Sequence, residues 1–185
     1  MSYDLAEHRH RFAVWAAARA SQRGFTTVGV LREALRATDI REVASNPRTQ
    51  RVSAVEFDAL HRKWCAGVCK SLKRSLEKNS EKVTYGRAAK LVAVYLKSTV
   101  ILGDGWDSSF GRNLHPPIDR ILLQSLARST KITSDHQGEW RSISWTQLDD
   151  SRYYKLIGQL RDVMPPGAPF WTIEEYWEPS EGGDD

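Results

Sequence analysis

The sequence predicts an all-α fold, a compact bundle of about seven helices. Apolar residues recur at steps of three or four along most of the chain, as they do on the buried face of a helix. Alternation of apolar and polar residues, which is typical of strands, is scarce. The 185 residues, 41% of them hydrophobic, suffice for one domain with a core of its own.

The N-terminal half predicts helices that begin or end at recognisable capping residues. The first covers residues 5–23 and ends at Gly24, and the second begins at the N-cap Thr27. The third carries an apolar stripe over residues 57–76, and the fourth begins at the N-cap Thr84. Three tryptophans are assigned to the core: Trp15, Trp64 and Trp171.

The C-terminal half predicts further helices separated by polar segments. A Gly-, Asp- and Ser-rich loop spans residues 103–115, and Pro116 opens a short helix because proline suits the first helical turn. Residues 130–145 are polar and are expected to be irregular. A longer helix covers residues 146–164, and residues 170–177 form a last aromatic turn.

The chain divides into one helical domain, residues 1–177, and an acidic tail, residues 178–185, which we expect to be disordered. The formal net charge is +4, but six acidic and no basic residues occur from Glu174 onward, so residues 1–173 carry +10. Residues 60–100 hold ten Lys or Arg against two Glu. Such a surface suits a polyanion such as DNA, although the hydrated face of an amphipathic helix explains the same residues.

The sequence shows no apolar run of membrane-spanning length and no signal peptide, so we expect a cytoplasmic protein without a membrane partner. We also expect it to be a monomer. Two cysteines, Cys65 and Cys69, fit a reducing compartment. With His61 they form a stripe at four-residue steps that can be drawn as three metal ligands. Zinc sites usually require further ligands in a recognised spacing, so ordinary core residues are the preferred interpretation.

The chemistry of the chain is expected to centre on Lys90 and Asp119. Lys90 lies between Ala89 and Leu91 on an apolar helix, and Lys97 lies two turns further along the same side. A hydrated lysine at the helix edge explains Lys90. The alternative is a desolvated amine that acts as a nucleophile and forms a Schiff base. Asp119 follows two prolines, where helix capping alone explains an aspartate.

The segment that contains these residues resembles the helix-hairpin-helix DNA glycosylases. Their motif is Gly-x-Gly-x-Lys, a helix, then Pro-Val-Asp; here Gly86-x-x-x-Lys90 precedes an apolar helix and Pro117-Ile118-Asp119. The interval of 29 residues from Lys90 to Asp119 is similar to that of the lysine-bearing, archaeal-type 8-oxoguanine glycosylases. The resemblance implies that Lys90 attacks C1′ of the deoxyribose. It also implies that Asp119 stabilises the sugar cation and assists proton transfer.

The hairpin of that family is degenerate in this chain. Tyr85 stands before Gly86 where the family has proline, and Ala88 stands where it has its second glycine. Contact with phosphate is then expected from Lys82 and Arg87, together with the N–H groups at the start of the helix. Tyr85 and Gly86, at the same place, are also expected to bind DNA.

The remaining DNA- or base-binding candidates surround the same segment. Trp106 and Phe110 either line a base pocket or act as a wedge, or they pack inward and hold the loop. Arg112 is among the polar groups of that loop which suit a sugar-bearing base. His115 either contacts substrate or a catalytic water, or packs the loop. Lys97, 22 residues before Asp119, competes with Lys90 as nucleophile, and otherwise binds phosphate or pairs with a carboxylate.

The predicted function is that of a DNA N-glycosylase, which flips a modified base out of double-stranded DNA and leaves an abasic site, without a metal or organic cofactor. A Schiff base at Lys90 also allows abasic-site lyase activity. The first substrate hypothesis is a glucosylated hydroxymethylcytosine in phage defence, and the second is 8-oxoguanine in base-excision repair. A non-catalytic DNA-binding module and an interaction protein that docks through residues 170–177 are the alternatives.

Overall fold

The computed structural model describes residues 3–178, and over this range the chain is helical with no strand, which confirms the predicted fold class. The described residues form nine α-helices: α1 (Leu5–Gln22), α2 (Val28–Arg36), α3 (Ile40–Ala44), α4 (Ala54–Leu76), α5 (Tyr85–Leu96), α6 (Ser109–Arg112), α7 (Arg120–Arg128), α8 (Gln137–Ser142) and α9 (Asp150–Asp162). Short 3-10 turns occupy Glu77–Lys82, Trp145–Gln147 and Phe170–Tyr176, and a π-turn occupies Lys97–Ile101. None of the helices in this range combines the length and hydropathy of a membrane span.

The predicted helix caps are present. The side-chain oxygen of Thr27 accepts a hydrogen bond from the N–H three residues later at 3.3 Å, and that of Thr84 does so at 3.4 Å. Gly24, with φ +68°, is the second of two left-handed residues after α1, since the C-cap Arg23 already has φ +36°. These three boundaries follow from local sequence because a cap involves only neighbouring residues.

Helix α5 is the central element of the bundle. It packs along α1 and against α4, and the turn at Trp145–Gln147 and helix α9 also contact it. Nine of its twelve residues are buried, so a polar side chain on almost any of its faces is withdrawn from water. Small residues such as Ala13 and Ala17 on α1 and Ala89 on α5 let the helices approach closely.

The assignment of the three tryptophans to the core is only partly right. Trp64 is fully buried, whereas Trp171 is half-buried. Trp15 is 53% exposed, so its assignment to the core is wrong. The reason is that the buried face of α1 consists of small residues, among them Ala13 and Ala17, and leaves Phe12 and Trp15 outside.

Three predicted boundaries in the C-terminal half differ from the structure. The helix expected at Pro116 begins at Arg120, because the preceding residue acts as its N-cap. Helix α8 lies inside the segment expected to be irregular, and it is anchored by Trp140, which is fully buried and donates from Nε1 to Gln159 Oε1 at 3.1 Å. The helix expected from residue 146 begins at Asp150. Apart from its first residue, the predicted acidic tail lies outside the described residues.

Candidate active site

Lys90 is a buried cation in the middle of the bundle. Its side chain is 6% exposed, and Nζ donates to Asp119 Oδ2 at 3.3 Å. Nζ also lies 4.6 Å from the centroid of the Trp145 ring, which is a cation–π arrangement. The interpretation of Lys90 as a hydrated lysine at the helix edge is therefore wrong. A buried lysine of this kind requires a compensating partner, and the carboxylate of Asp119 is one.

Asp119 accepts three hydrogen bonds with its two carboxylate oxygens. Oδ1 accepts from the backbone N–H of Leu122 at 2.9 Å and so caps α7. Oδ2 accepts from Lys90 and also from Trp177 Nε1, which is 3.1 Å away. The expected helix cap is confirmed, but capping alone does not account for Asp119, since the second oxygen faces the buried lysine.

The backbone around Gly86 fixes the position of the Trp145 ring. Gly86 N–H donates to Leu148 O at 2.9 Å, so the start of α5 is joined to the turn that carries Trp145. A Cβ atom on Gly86 would lie 2.0 Å from Trp145 O. The absence of a side chain at residue 86 is thus explained by this close approach rather than by phosphate contact, and it helps to hold the ring beside Lys90.

A cavity of about 500 Å³ opens in front of Lys90 and Asp119. One stripe of α5 and its extension forms a wall of this cavity, with Lys90, Val94 and Lys97 at successive turns. The other lining residues are Arg19, Ala20, Arg23, Ser98, Leu102, Pro117, Ile121, Glu174 and Trp177, as well as Asp119 itself. Four of the lining side chains are basic and two are acidic, so the formal net charge of the lining is +2, which suits an anionic ligand.

A second lysine–carboxylate pair lies in the same cavity. Lys97 Nζ donates to Glu174 Oε1 at 2.7 Å, and the Glu174 side chain is only 14% exposed. Burial raises the pKa of Glu174; the nearby charge of Asp119 adds to this, while the hydrogen bond from Lys97 opposes it. Of the alternatives for Lys97, pairing with a carboxylate is confirmed.

The residues that sequence reasoning missed come from distant segments. Glu174 and Trp177 belong to the aromatic segment after α9, and Arg19 and Arg23 belong to the end of α1. Arg23 ends α1 with φ +36°, in a left-handed conformation that is rare for residues other than glycine. Two adjacent acidic side chains, Glu174 and Glu175, inside a run of aromatic residues were the available signal, and the sequence does not tell which of them enters the cavity.

The loop residues do not line the cavity. Phe110 is fully buried with its ring centroid 5.5 Å from that of Phe57, so it holds the loop. Trp106 is half-exposed, and its carbonyl accepts from Trp171 Nε1 at 3.3 Å. Arg112 is exposed and donates to a backbone carbonyl in the loop after α9. The structure does not bring these three candidates to the lysine.

Of the two side chains expected to contact phosphate at the start of α5, Lys82 is accessible and Arg87 is not. Lys82 is exposed at the end of the preceding 3-10 turn and is accessible to a phosphate. The guanidinium of Arg87 instead lies over the Phe25 ring, with Cζ 4.3 Å from the ring centroid, and burial lowers the pKa of Arg87. Its Nε and Nη1 are buried without a hydrogen-bond partner among residues 3–178. The position of the Arg87 side chain therefore does not support the expected contact with phosphate.

A polar aromatic cluster explains Tyr85 and His115. It lies between α4, α9 and the start of α5, and its members are Asp58, His61, Tyr85, His115, Tyr153, Tyr154 and Arg161. His115 Nε2 is 2.8 Å from Asp58 Oδ1, and burial lowers the pKa of His115. The hydroxyl of Tyr85 donates to that of Tyr154 at 3.2 Å. Both candidates are thus held away from the cavity, and His115 packs the loop.

The other possibilities for a site are weaker. Within the described part of the chain, no group of three His, Cys, Asp or Glu side chains is placed to hold a metal ion. A second cavity, of about 320 Å³, lies between α1, α3 and the loop after α3. Its three arginines are each paired with a carboxylate; these pairs are Arg9–Asp104, Arg41–Glu7 and Arg48–Asp107. Their charges are therefore largely offset.

Comparisons of the chain with family models, with curated proteins and with solved structures found no match. The chemistry of the candidate active site must consequently be argued from its own geometry.

Proposed function

We propose that the protein is a DNA N-glycosylase that removes a modified base, with Lys90 as the nucleophile and Asp119 as its partner. The observation that carries the proposal is the 3.3 Å contact between Lys90 Nζ and Asp119 Oδ2, both almost fully buried at the wall of a 500 Å³ cavity. An amine held beside a carboxylate, and facing a space large enough for a flipped nucleotide, is the arrangement that Schiff-base chemistry at C1′ requires.

The proposed reaction begins with transfer of a proton from Lys90 Nζ to Asp119 Oδ2. The neutral amine forms a bond to C1′ of the deoxyribose while the bond from C1′ to the base breaks. The electron pair leaves with the base, and the base is then protonated by Asp119, which returns to its carboxylate form. The sugar ring then opens as its oxygen takes a proton from the bound nitrogen, and this leaves a Schiff base between Lys90 and C1′.

The charge of the cavity supports DNA as the partner. Arg19 and Arg23 line the same cavity as the candidate pair, and cations of this kind neutralise phosphates next to a flipped nucleotide. The exposed Lys82 lies at the N-terminal end of the same central helix and provides a further phosphate contact. The mixed polar and apolar walls suit a base that carries hydrogen-bonding substituents.

The experiment that tests this proposal is excision from duplexes that contain one defined base: glucosylated hydroxymethylcytosine, 8-oxoguanine, or an unmodified control. We expect release of one modified base and a covalent adduct after borohydride reduction. Lys90→Gln should lose the adduct, and Asp119→Asn should reduce excision by about a hundredfold or more. Lys155→Gln, which alters an exposed lysine paired with Glu139, is the matched control and should behave as wild type. Wild-type excision by Lys90→Gln would refute the proposal.

A further inference from the structure

We infer that Lys97 and Glu174 form a subsite for the outer edge of the flipped base, and that this subsite takes a base which presents a hydrogen-bond donor and an acceptor side by side. The inference rests on the proposed function, because it takes Lys90 as the group that holds the sugar. It adds a binding site for the substituent that distinguishes a modified base from an ordinary one.

The first step of the inference is the position of the pair. Lys90, Val94, Lys97 and Ser98 follow one another on the face of the central helix and its π-turn that lines the cavity. Lys97 lies seven residues beyond Lys90, which is about 10 Å along a helix that rises 1.5 Å per residue. A nucleotide whose C1′ is held at Lys90 therefore has room to extend its base along this stripe, and its outer edge meets Lys97 and Glu174.

The second step is the chemistry of the pair. Lys97 offers N–H donors and Glu174 offers carboxylate acceptors, with 2.7 Å between Nζ and Oε1. The Lys97 side chain is 36% exposed, so the pair can be reached from the cavity. In the absence of substrate the two groups satisfy each other. A ligand with a donor beside an acceptor can replace both contacts, whereas an apolar substituent would leave two desolvated charges poorly matched.

The third step separates recognition from support. Glu174 belongs to the same segment as Trp177, which donates to Asp119. If Glu174 only held this segment in place, its substitution would disturb Asp119 and so impair every reaction of Lys90. A subsite for the base has a different signature. Abasic DNA has no base to contact Glu174, yet its aldehyde still reacts with the lysine. Trapping on abasic DNA therefore reports the state of Lys90 and Asp119 without the contribution of base recognition.

The test compares Glu174→Gln with wild type in two assays on the full chain: excision of whichever defined base the wild type removes, and borohydride trapping on an abasic duplex. We expect kcat/KM for excision to fall about tenfold or more, while trapping changes less than about twofold. Glu33→Gln, at an exposed glutamate paired with Arg36, is the matched control for loss of a carboxylate.

Each other outcome overturns a stated claim. An equal loss in both assays would make Glu174 a support for the catalytic pair and overturn the subsite. Unchanged excision would show that the base does not contact Glu174. Failure of the wild type to trap abasic DNA would overturn the proposed function itself, and with it the subsite, and so the two failures are distinguishable.

Discussion

A methyl group on Gly86 would collide with the backbone that carries Trp145, so Gly86→Ala should destabilise the protein. The added Cβ would lie 2.0 Å from Trp145 O and 3.2 Å from Leu148 Cβ. Carbon contacts are optimal at about 3.5–4.0 Å, so the turn must move by more than about 1 Å. Overpacking of this kind costs about 1–3 kcal/mol, and weakening of the hydrogen bond from Gly86 N–H to Leu148 O adds about 1 kcal/mol. We expect the free energy of unfolding to fall by about 3 kcal/mol.

Urea denaturation, followed by circular dichroism and tryptophan fluorescence, measures this change by linear extrapolation. Gly158→Ala is the matched control, because Gly158 lies within α9 and a Cβ there would meet no atom within 4 Å. That substitution should raise the free energy of unfolding by about 0.5–1 kcal/mol. A loss below about 0.5 kcal/mol for Gly86→Ala would refute the argument that this glycine is required by the close approach.

Three other predictions concern the cap, the polar cluster and the end of α1. Asp119→Ala and Asp119→Asn both leave the buried Lys90 without its carboxylate, but only the alanine also removes the cap, so its free energy of unfolding should be lower than that of Asp119→Asn by about 1 kcal/mol; equal losses in urea would contradict the capping role. Burial raises the pKa of Asp58, but hydrogen bonds from Arg161 and His115 outweigh it and hold the pKa well below its usual range. Asp58 therefore stabilises the fold at neutral pH, and this contribution should be lost progressively as the pH falls from about 4, the ordinary pKa of an aspartate, towards the lower pKa of the folded state. Asp58→Asn should cost about 2 kcal/mol at pH 7 and flatten the acid limb of a stability profile, and an unchanged acid limb would contradict this. Arg23→Gly should raise the free energy of unfolding by about 1 kcal/mol, because glycine adopts the left-handed conformation of residue 23 without strain. The same substitution should weaken DNA binding in a fluorescence titration, because it removes a cation from the cavity; tighter binding would contradict a phosphate contact from Arg23.

The parts of the fold that depend on neighbouring residues could be predicted from the sequence. Thr27 and Thr84 were identified because a cap is made within one helical turn. The buried face of α1 could not be identified in this way, since it consists of small residues such as Ala13 and Ala17, whose burial depends on the neighbouring helices, and not of the more hydrophobic Trp15. Helix α8 was missed because it depends on a contact with α9, the hydrogen bond from Trp140 Nε1 to Gln159 Oε1.

The candidate site was predictable to the extent that a local motif marked it. Lys90 and Asp119 were singled out from the segment that resembles a glycosylase motif, and the structure places them in contact. Trp145, Glu174 and Trp177 stand far from Lys90 in the sequence, and no spacing or composition joins them to it. Their roles follow only from the packing of the turn and the C-terminal segment around the central helix.

The double attachment of Asp119 has a consequence for how a substrate must enter. Its carboxylate cannot rotate to follow a ligand without breaking the bond from Leu122 N–H that begins α7. The orientation of the charged group is therefore settled when the chain folds, and no reorganisation of this side chain is needed as charge develops nearby. In the proposed reaction the nucleotide therefore rotates until C1′ is aligned with the Asp119 carboxylate, which stays in place.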